Sequence, residues 1–140
     1  MQRLLRKLET AKDLVPRPVR HSEKPSKAGV IYFGSTAPAM DEALAMLAAR
    51  GHSLDMLRVR AFPFHKDVPD FIAEHDFIFV VEQNRDAQLR SLIVNECGID
   101  PVRLVPILHY DGTPITARFI ARAIGDHLDA LRVAPLRVVG

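Results

Sequence analysis

From Gly29 onward the chain alternates short apolar runs with longer segments in which apolar residues recur every three or four positions. That alternation predicts buried strands, each followed by an amphipathic helix. The first round places a strand at residues 30–33, a turn at Gly34-Ser35-Thr36 and a helix at residues 38–50, with Met40, Ala43, Leu44 and Leu47 on one face. Gly51 ends it as a left-handed cap would. The second puts a strand at residues 54–59, a Pro-bearing loop over Phe62-Pro63-Phe64-His65-Lys66, and a short helix carrying Val68, Phe71, Ile72 and His75, for which Asp67 is the expected N-cap. The third strand, residues 77–81, is apolar without interruption, which predicts burial on both faces and a central place in the sheet. It surfaces at Glu82-Gln83-Asn84, and a helix bearing Leu89, Leu92 and Ile93 then runs to about Cys97, with Asn84 as its expected N-cap. A fourth strand at residues 102–108 contains Pro106, which cannot donate to a ladder and so belongs at an edge. After a turn at Asp111-Gly112, Thr116 caps the longest helix, whose stripe runs from Phe119 through Ile124 and His127 to Leu131. Residues 136–139 have the composition of a fifth strand.

Repeated strand–helix units with short connections build a mostly parallel sheet with helices on both faces, because right-handed crossovers allow little else. The expected fold is therefore a three-layer α/β/α sandwich with a sheet of four to five strands. Ahead of it, residues 1–27 read as a connector arm: a short helix over Leu4, Leu5, Leu8 and Ala11, then Pro16, Pro18 and Pro25 in a polar stretch. The single domain then spans residues 28–140.

Charge divides at the same place. Residues 1–27 carry eight Lys/Arg against three Asp/Glu, a net +5, whereas residues 28–140 carry eleven against fourteen, a net −3. An acidic body with 6% aromatic residues lacks the basic face and base-stacking rings of a nucleic-acid binder. At 140 residues the chain is long enough for one core without disulfides, and its single Cys97 can neither form an internal bridge nor supply the thiolates of a zinc or iron–sulfur site. No apolar run approaches the length of a membrane span and no apolar signal core follows the basic N-terminal residues, so a cytoplasmic location is expected.

Ligands of parallel sheets meet the loops at the carboxyl ends of the strands. In the first loop, Gly34, Ser35 and Thr36 offer close backbone approach and hydroxyls at a helix start, suited to an anion or simply to starting the helix. Glu82, Gln83 and Asn84 emerge from the most buried strand, placed to tie loops or to line a pocket or subunit contact. Asp111 and Gly112 turn the chain after the fourth strand, and Phe62 and Phe64 suit either a protein contact or a cover for the sheet edge. The six histidines show no metal-ligand spacing and no motif pairing with a carboxylate, and Ser35 lacks the second glycine of a nucleophile elbow. No catalytic residue, cofactor site or metal site emerges from the pattern.

Tyr32-Phe33-Gly34-Ser35-Thr36 resembles the start of the flavodoxin phosphate loop, which would make the chain a free-standing small-ligand or electron-transfer module. The likeness stops at Ala37, Pro38, Ala39 and Met40, and with no Trp and only Tyr32 and Tyr110 the chain is poor in rings to stack on a flavin. A broader resemblance takes in nearly the whole chain. Val30-Ile31-Tyr32-Phe33-Gly34-Ser35, then Phe79-Val80-Val81-Glu82-Gln83-Asn84 with Gln88-Leu89, then Tyr110-Asp111-Gly112 with Pro114-Ile115, in that order, resemble the C-terminal domain of the alpha subunit of 2-oxoacid:ferredoxin oxidoreductases, most of all the 2-oxoglutarate type. Arg6-Lys7-Leu8-Glu9 and the following prolines resemble the connector before that domain. The resemblance implies a transketolase C-terminal-like fold, with one strand often antiparallel. It implies a parent enzyme that oxidatively decarboxylates a 2-oxoacid on thiamine diphosphate with Mg, passes electrons through an iron–sulfur cluster to ferredoxin, and delivers the acyl group to coenzyme A. In it this domain would be non-catalytic and would contact the other alpha-subunit domains and a beta subunit, with no nucleic acid and no membrane involved.

Overall fold

A computed structural model describes residues 1–22 and 24–133. Five strands, β1 (Val19–His21), β2 (Ala28–Phe33), β3 (Asp55–Val59), β4 (Phe77–Glu82) and β5 (Leu104–Leu108), form one sheet in the order β1-β3-β2-β4-β5. The last four are mutually parallel and β1 runs antiparallel to β3, with Arg20 opposite Leu57. Helices α2 (Ala37–Ala49), α3 (Asp67–Ala73), α4 (Gln88–Cys97) and α5 (Ala117–Val133) provide the crossovers and the final cover.

Alternation along the strands feeds two cores. Val30, Tyr32, Met56, Phe79 and Val81 point to the face covered by α2 and α5, where they meet Met40, Leu47, Ile120 and Ile124. Ile31, Leu57, Val59, Ile78 and Val80 point to the other face and pack on Val68, Phe71, Ile72 and Ile93 from α3 and α4. The sandwich thus has the three layers expected, and β4 owes its uninterrupted apolar run to cores on both sides. Gly29 allows the close fit of α3: a Cβ there would lie 2.8 Å from both the Phe71 ring and the Ile78 side chain. Gly51, at φ +81°, closes α2 in a Schellman arrangement, with its N–H donating to Ala48 O and that of His52 to Leu47 O. Pro106 lies in β5 at the sheet edge, where its missing donor is harmless, and the Thr116 hydroxyl accepts from Phe119 N at 3.1 Å.

The fifth strand comes from the arm. Residues 16–22 leave the N-terminal helix α1 (Gln2–Leu14) and add β1 to the edge of β3, so the stretch read as a connector is partly sheet. The strand expected at residues 136–139 lies outside the described residues. Helix α1 buries none of its residues, and Leu4, Leu5 and Leu8 are exposed along it. Residues 101–103 are a turn of 3₁₀ helix rather than the start of β5, with the Asp100 carboxylate accepting from Val102 N at 3.0 Å. No helix among the described residues is long and apolar enough to cross a membrane.

Two expected N-caps differ. Asp67 is the first residue of α3, not its cap, and its own N–H donates to His65 Nδ1 at 3.1 Å. Asn84 stands four residues ahead of α4, which follows Ala87 in the left-handed region at φ 50°.

Candidate functional site

The carboxyl ends of β2, β4 and β5 bring most of the expected residues onto one rim. β4 ends on Glu82, whose side chain is completely buried and turns back over the start of α4. One carboxylate oxygen accepts from Leu89 N at 2.5 Å and from the Asn84 amide at 2.9 Å, and the other accepts from Arg90 N at 3.1 Å. A negative group at a helix N-terminus meets unsatisfied N–H donors and the positive end of the dipole, so burial of this charge is compensated. Asn84 Oδ1 takes the next donor, Gln88 N, at 3.2 Å.

Gln83 reaches across the rim. Its amide nitrogen donates to Ser35 Oγ at 2.9 Å and Thr36 Oγ1 at 3.3 Å, while its oxygen accepts from Ile115 N at 3.4 Å. One side chain therefore links the loops after β2, β4 and β5. Gly34, at φ +63° with open space where a Cβ would be, carries the chain from Phe33 into the turn that presents those hydroxyls. Asp111 and Gly112 do not join this cluster. Asp111 accepts from Thr113 N at 2.9 Å and from the Thr113 hydroxyl, which together hold its carboxyl below the usual range, and Gly112 sits at φ +86° in the same turn.

The aromatic loop splits in two: Phe64 is buried, Phe62 is half exposed, and their rings meet edge to face at 5.5 Å.

At the opposite, amino-terminal end of the sheet lies a group that the sequence pattern does not reveal. His75 and Asp55 are both buried and pair at 2.7 Å through His75 Nε2, with His75 Nδ1 at 2.6 Å from Phe71 O. Ser22 donates to the same carboxylate, and Arg20 lies 3.4 Å from Asp55 and 2.7 Å from Glu74. Burial raises the Asp55 pKa, but the hydrogen bonds from Ser22 and His75 and the nearby positive groups outweigh it, so the carboxyl titrates below its usual range. Histidine–carboxylate pairs that no motif announces exist here and at His52–Asp129 and His109–Asp111. Their partners lie on other elements or in tight turns, where motif spacing is silent. Asp55 bridges Ser22 and His75, so the histidine faces no hydroxyl nucleophile, and the cluster works as a bolt holding β1 to β3 and α3.

Sheet order, the antiparallel edge strand and the rim of loops at the strand ends together invite comparison with solved structures. One match, over 86% of this chain and 21% of the other at 24% identity and a TM-score of 0.74, is 2-oxoglutarate:ferredoxin oxidoreductase from Magnetococcus marinus, with 2-oxoglutarate, coenzyme A and succinyl-CoA bound. Another is the inactive beta4 tetramer of a split-gene transketolase, matched over 81% of this chain and 41% of that one at 19% identity, with a TM-score of 0.62. The chain has a transketolase C-terminal-like fold. This transketolase C-terminal-like domain also matches the alpha chain of a probable 2-oxoacid ferredoxin oxidoreductase from Thermoplasma acidophilum, over 81% of its own length and 97% of the other, at 25% identity and a TM-score of 0.55. It spans about a fifth of the Magnetococcus chain. No family model and no curated protein matches it.

Among the described residues no three His, Cys, Asp or Glu side chains converge as metal ligands, and one cysteine cannot hold an iron–sulfur cluster. The one carboxylate buried at the rim, Glu82, is already saturated by Leu89 N, Arg90 N and Asn84.

Proposed function

We propose that this chain is a non-catalytic structural and subunit-contact domain of the alpha subunit of a thiamine-diphosphate-dependent 2-oxoacid:ferredoxin oxidoreductase, with 2-oxoglutarate as the favoured substrate. The parent enzyme would oxidatively decarboxylate the 2-oxoacid to an acyl-CoA with ferredoxin as electron acceptor. Thiamine diphosphate, Mg and the iron–sulfur cluster would be held by the remaining alpha-subunit domains and the beta subunit. The observation that supports this reading is the state of the rim: on a fold shared with such subunits, Glu82 and Gln83 are engaged in holding α4 and three loops, and His109 and Asp111 are tied to each other and to Thr113.

Co-expression of the complete alpha subunit with its beta subunit tests it. The expected result is a colourless isolated domain with no 2-oxoglutarate-dependent reduction of ferredoxin, which enters an active complex when its partners are present. Turnover by the domain alone, or a stoichiometric flavin spectrum, would overturn the reading in favour of a free-standing flavodoxin-like module.

A further inference from the structure

Beside the rim, between the carboxyl ends of β2 and β3 and the start of α4, lies an open cleft of about 520 Å³. That volume falls within the size range of small-molecule sites, and the position matches where open α/β sheets take ligands. Its floor is apolar, built by Val59, Phe64, Leu89 and Leu92. Two rings stand at its edges with much of their surface in water: Phe33, 44% exposed and the one exposed position of β2, and Phe62, 50% exposed. Exposed phenyl rings over an apolar floor lose the stabilisation that burial would bring, so a flat ligand inserted between them gains contact area.

The charges are of one sign. Arg58 and Arg60 line the cleft, no Asp or Glu does, and neither guanidinium has an ion-pair partner among the described residues. On a body whose net charge is −3 this is a local reversal that favours an anion. The start of α4 does not supply the anion contact, because Glu82 and Asn84 already occupy its free N–H groups. Arg58 sits inside β3 opposite Tyr32, whereas Arg60 lies just past the end of β3, two residues before Phe62 in the loop that forms the edge of the cleft. Gly34, with open space at its Cα, lets that ligand approach the backbone.

We propose that this cleft binds a small planar aromatic anion, its ring between Phe33 and Phe62 and its negative group on Arg60. The inference is independent of the enzyme assignment, since it rests on the cleft alone.

The test is a titration of the ¹⁵N-labelled domain with anilinonaphthalene sulfonate, repeated with its uncharged counterpart phenylnaphthylamine. The proposal expects saturable one-to-one binding, with amide shifts confined to residues 33–34, 58–62 and 88–92 and about tenfold weaker binding of the neutral probe. Arg60→Ala is expected to lose about tenfold and Phe62→Ala about fivefold, while Arg122→Ala on the exposed side of α5 loses nothing. Equal affinity for both probes, shifts scattered elsewhere, or retention of full affinity in Arg60→Ala would overturn it. So would the absence of saturation, or a cleft whose amides respond only to an added protein subunit.

Discussion

Glu82 and Leu89 are joined by a 2.5 Å hydrogen bond from backbone to carboxylate, and that contact fixes where α4 begins. The acid sits seven residues ahead of the N–H it binds, on a neighbouring element, and behaves as a cap supplied from the sheet. Removing it in Glu82→Ala leaves the Leu89 and Arg90 donors without partners in a buried setting. The expected cost is about 2 kcal/mol, read as a lowered urea midpoint with an unchanged slope. Glu82→Gln retains an acceptor but turns an amide NH₂ towards backbone donors, and should fall between the two.

Ala87, just before that cap, pays a backbone penalty at φ 50°. Ala87→Gly relieves it, partly offset by the greater freedom of glycine in the unfolded chain. A gain of up to about 1 kcal/mol in chemical denaturation is expected.

Gly29 is the reverse case, since its lack of a side chain is needed for packing. The added methyl of Gly29→Ala would press on Phe71 and Ile78, both fully buried, and the wedge should cost about 1–3 kcal/mol. Exchange of amide hydrogens in α3 should speed up more than in α5, because α3 lies on the affected face.

The bolt between β1 and β3 predicts an acid response. The Asp55 carboxyl titrates lower when folded than when unfolded, so its contribution is complete above the unfolded value of ~3.9 and is lost as pH falls through the folded value. Wild-type stability should therefore drop on acidification below about pH 4, with β1 amides losing protection first. Asp55→Asn should start less stable, by about 3 kcal/mol, and show a shallower acid dependence. A variant whose acid profile matches the wild type would show that Asp55 does not carry the effect.

Much of this architecture is written locally. The apolar run of β4, the stripe of α5, the Gly51 stop and the Thr116 cap each depend on residues a few positions apart, and each lies where the pattern puts it. The features that escape are those whose partners are distant. β1 is three exposed residues behind two prolines, and its anchors are distant: Asp55, thirty-five positions on from Arg20, and Glu74 beyond it. Asn84 has the right chemistry for a cap and its amide oxygen does take the Gln88 N–H, but from four residues ahead of the helix, while Glu82 takes the next two donors from inside the sheet. At the rim, Ser35, Thr36 and Gln83 were each visible as candidates, but the amide bridging two loops forty-eight residues apart is a product of strand order.

The most direct test of the proposed non-catalytic role is 2-oxoglutarate-dependent ferredoxin reduction by the proposed complete enzyme carrying Glu82→Ala, expressed per assembled complex counted by native mass spectrometry. A brace predicts fewer complexes, each turning over within about twofold of the wild type, a barrier change under 0.5 kcal/mol. A full yield of complexes that no longer turn over would place Glu82 in the chemistry and contradict the account.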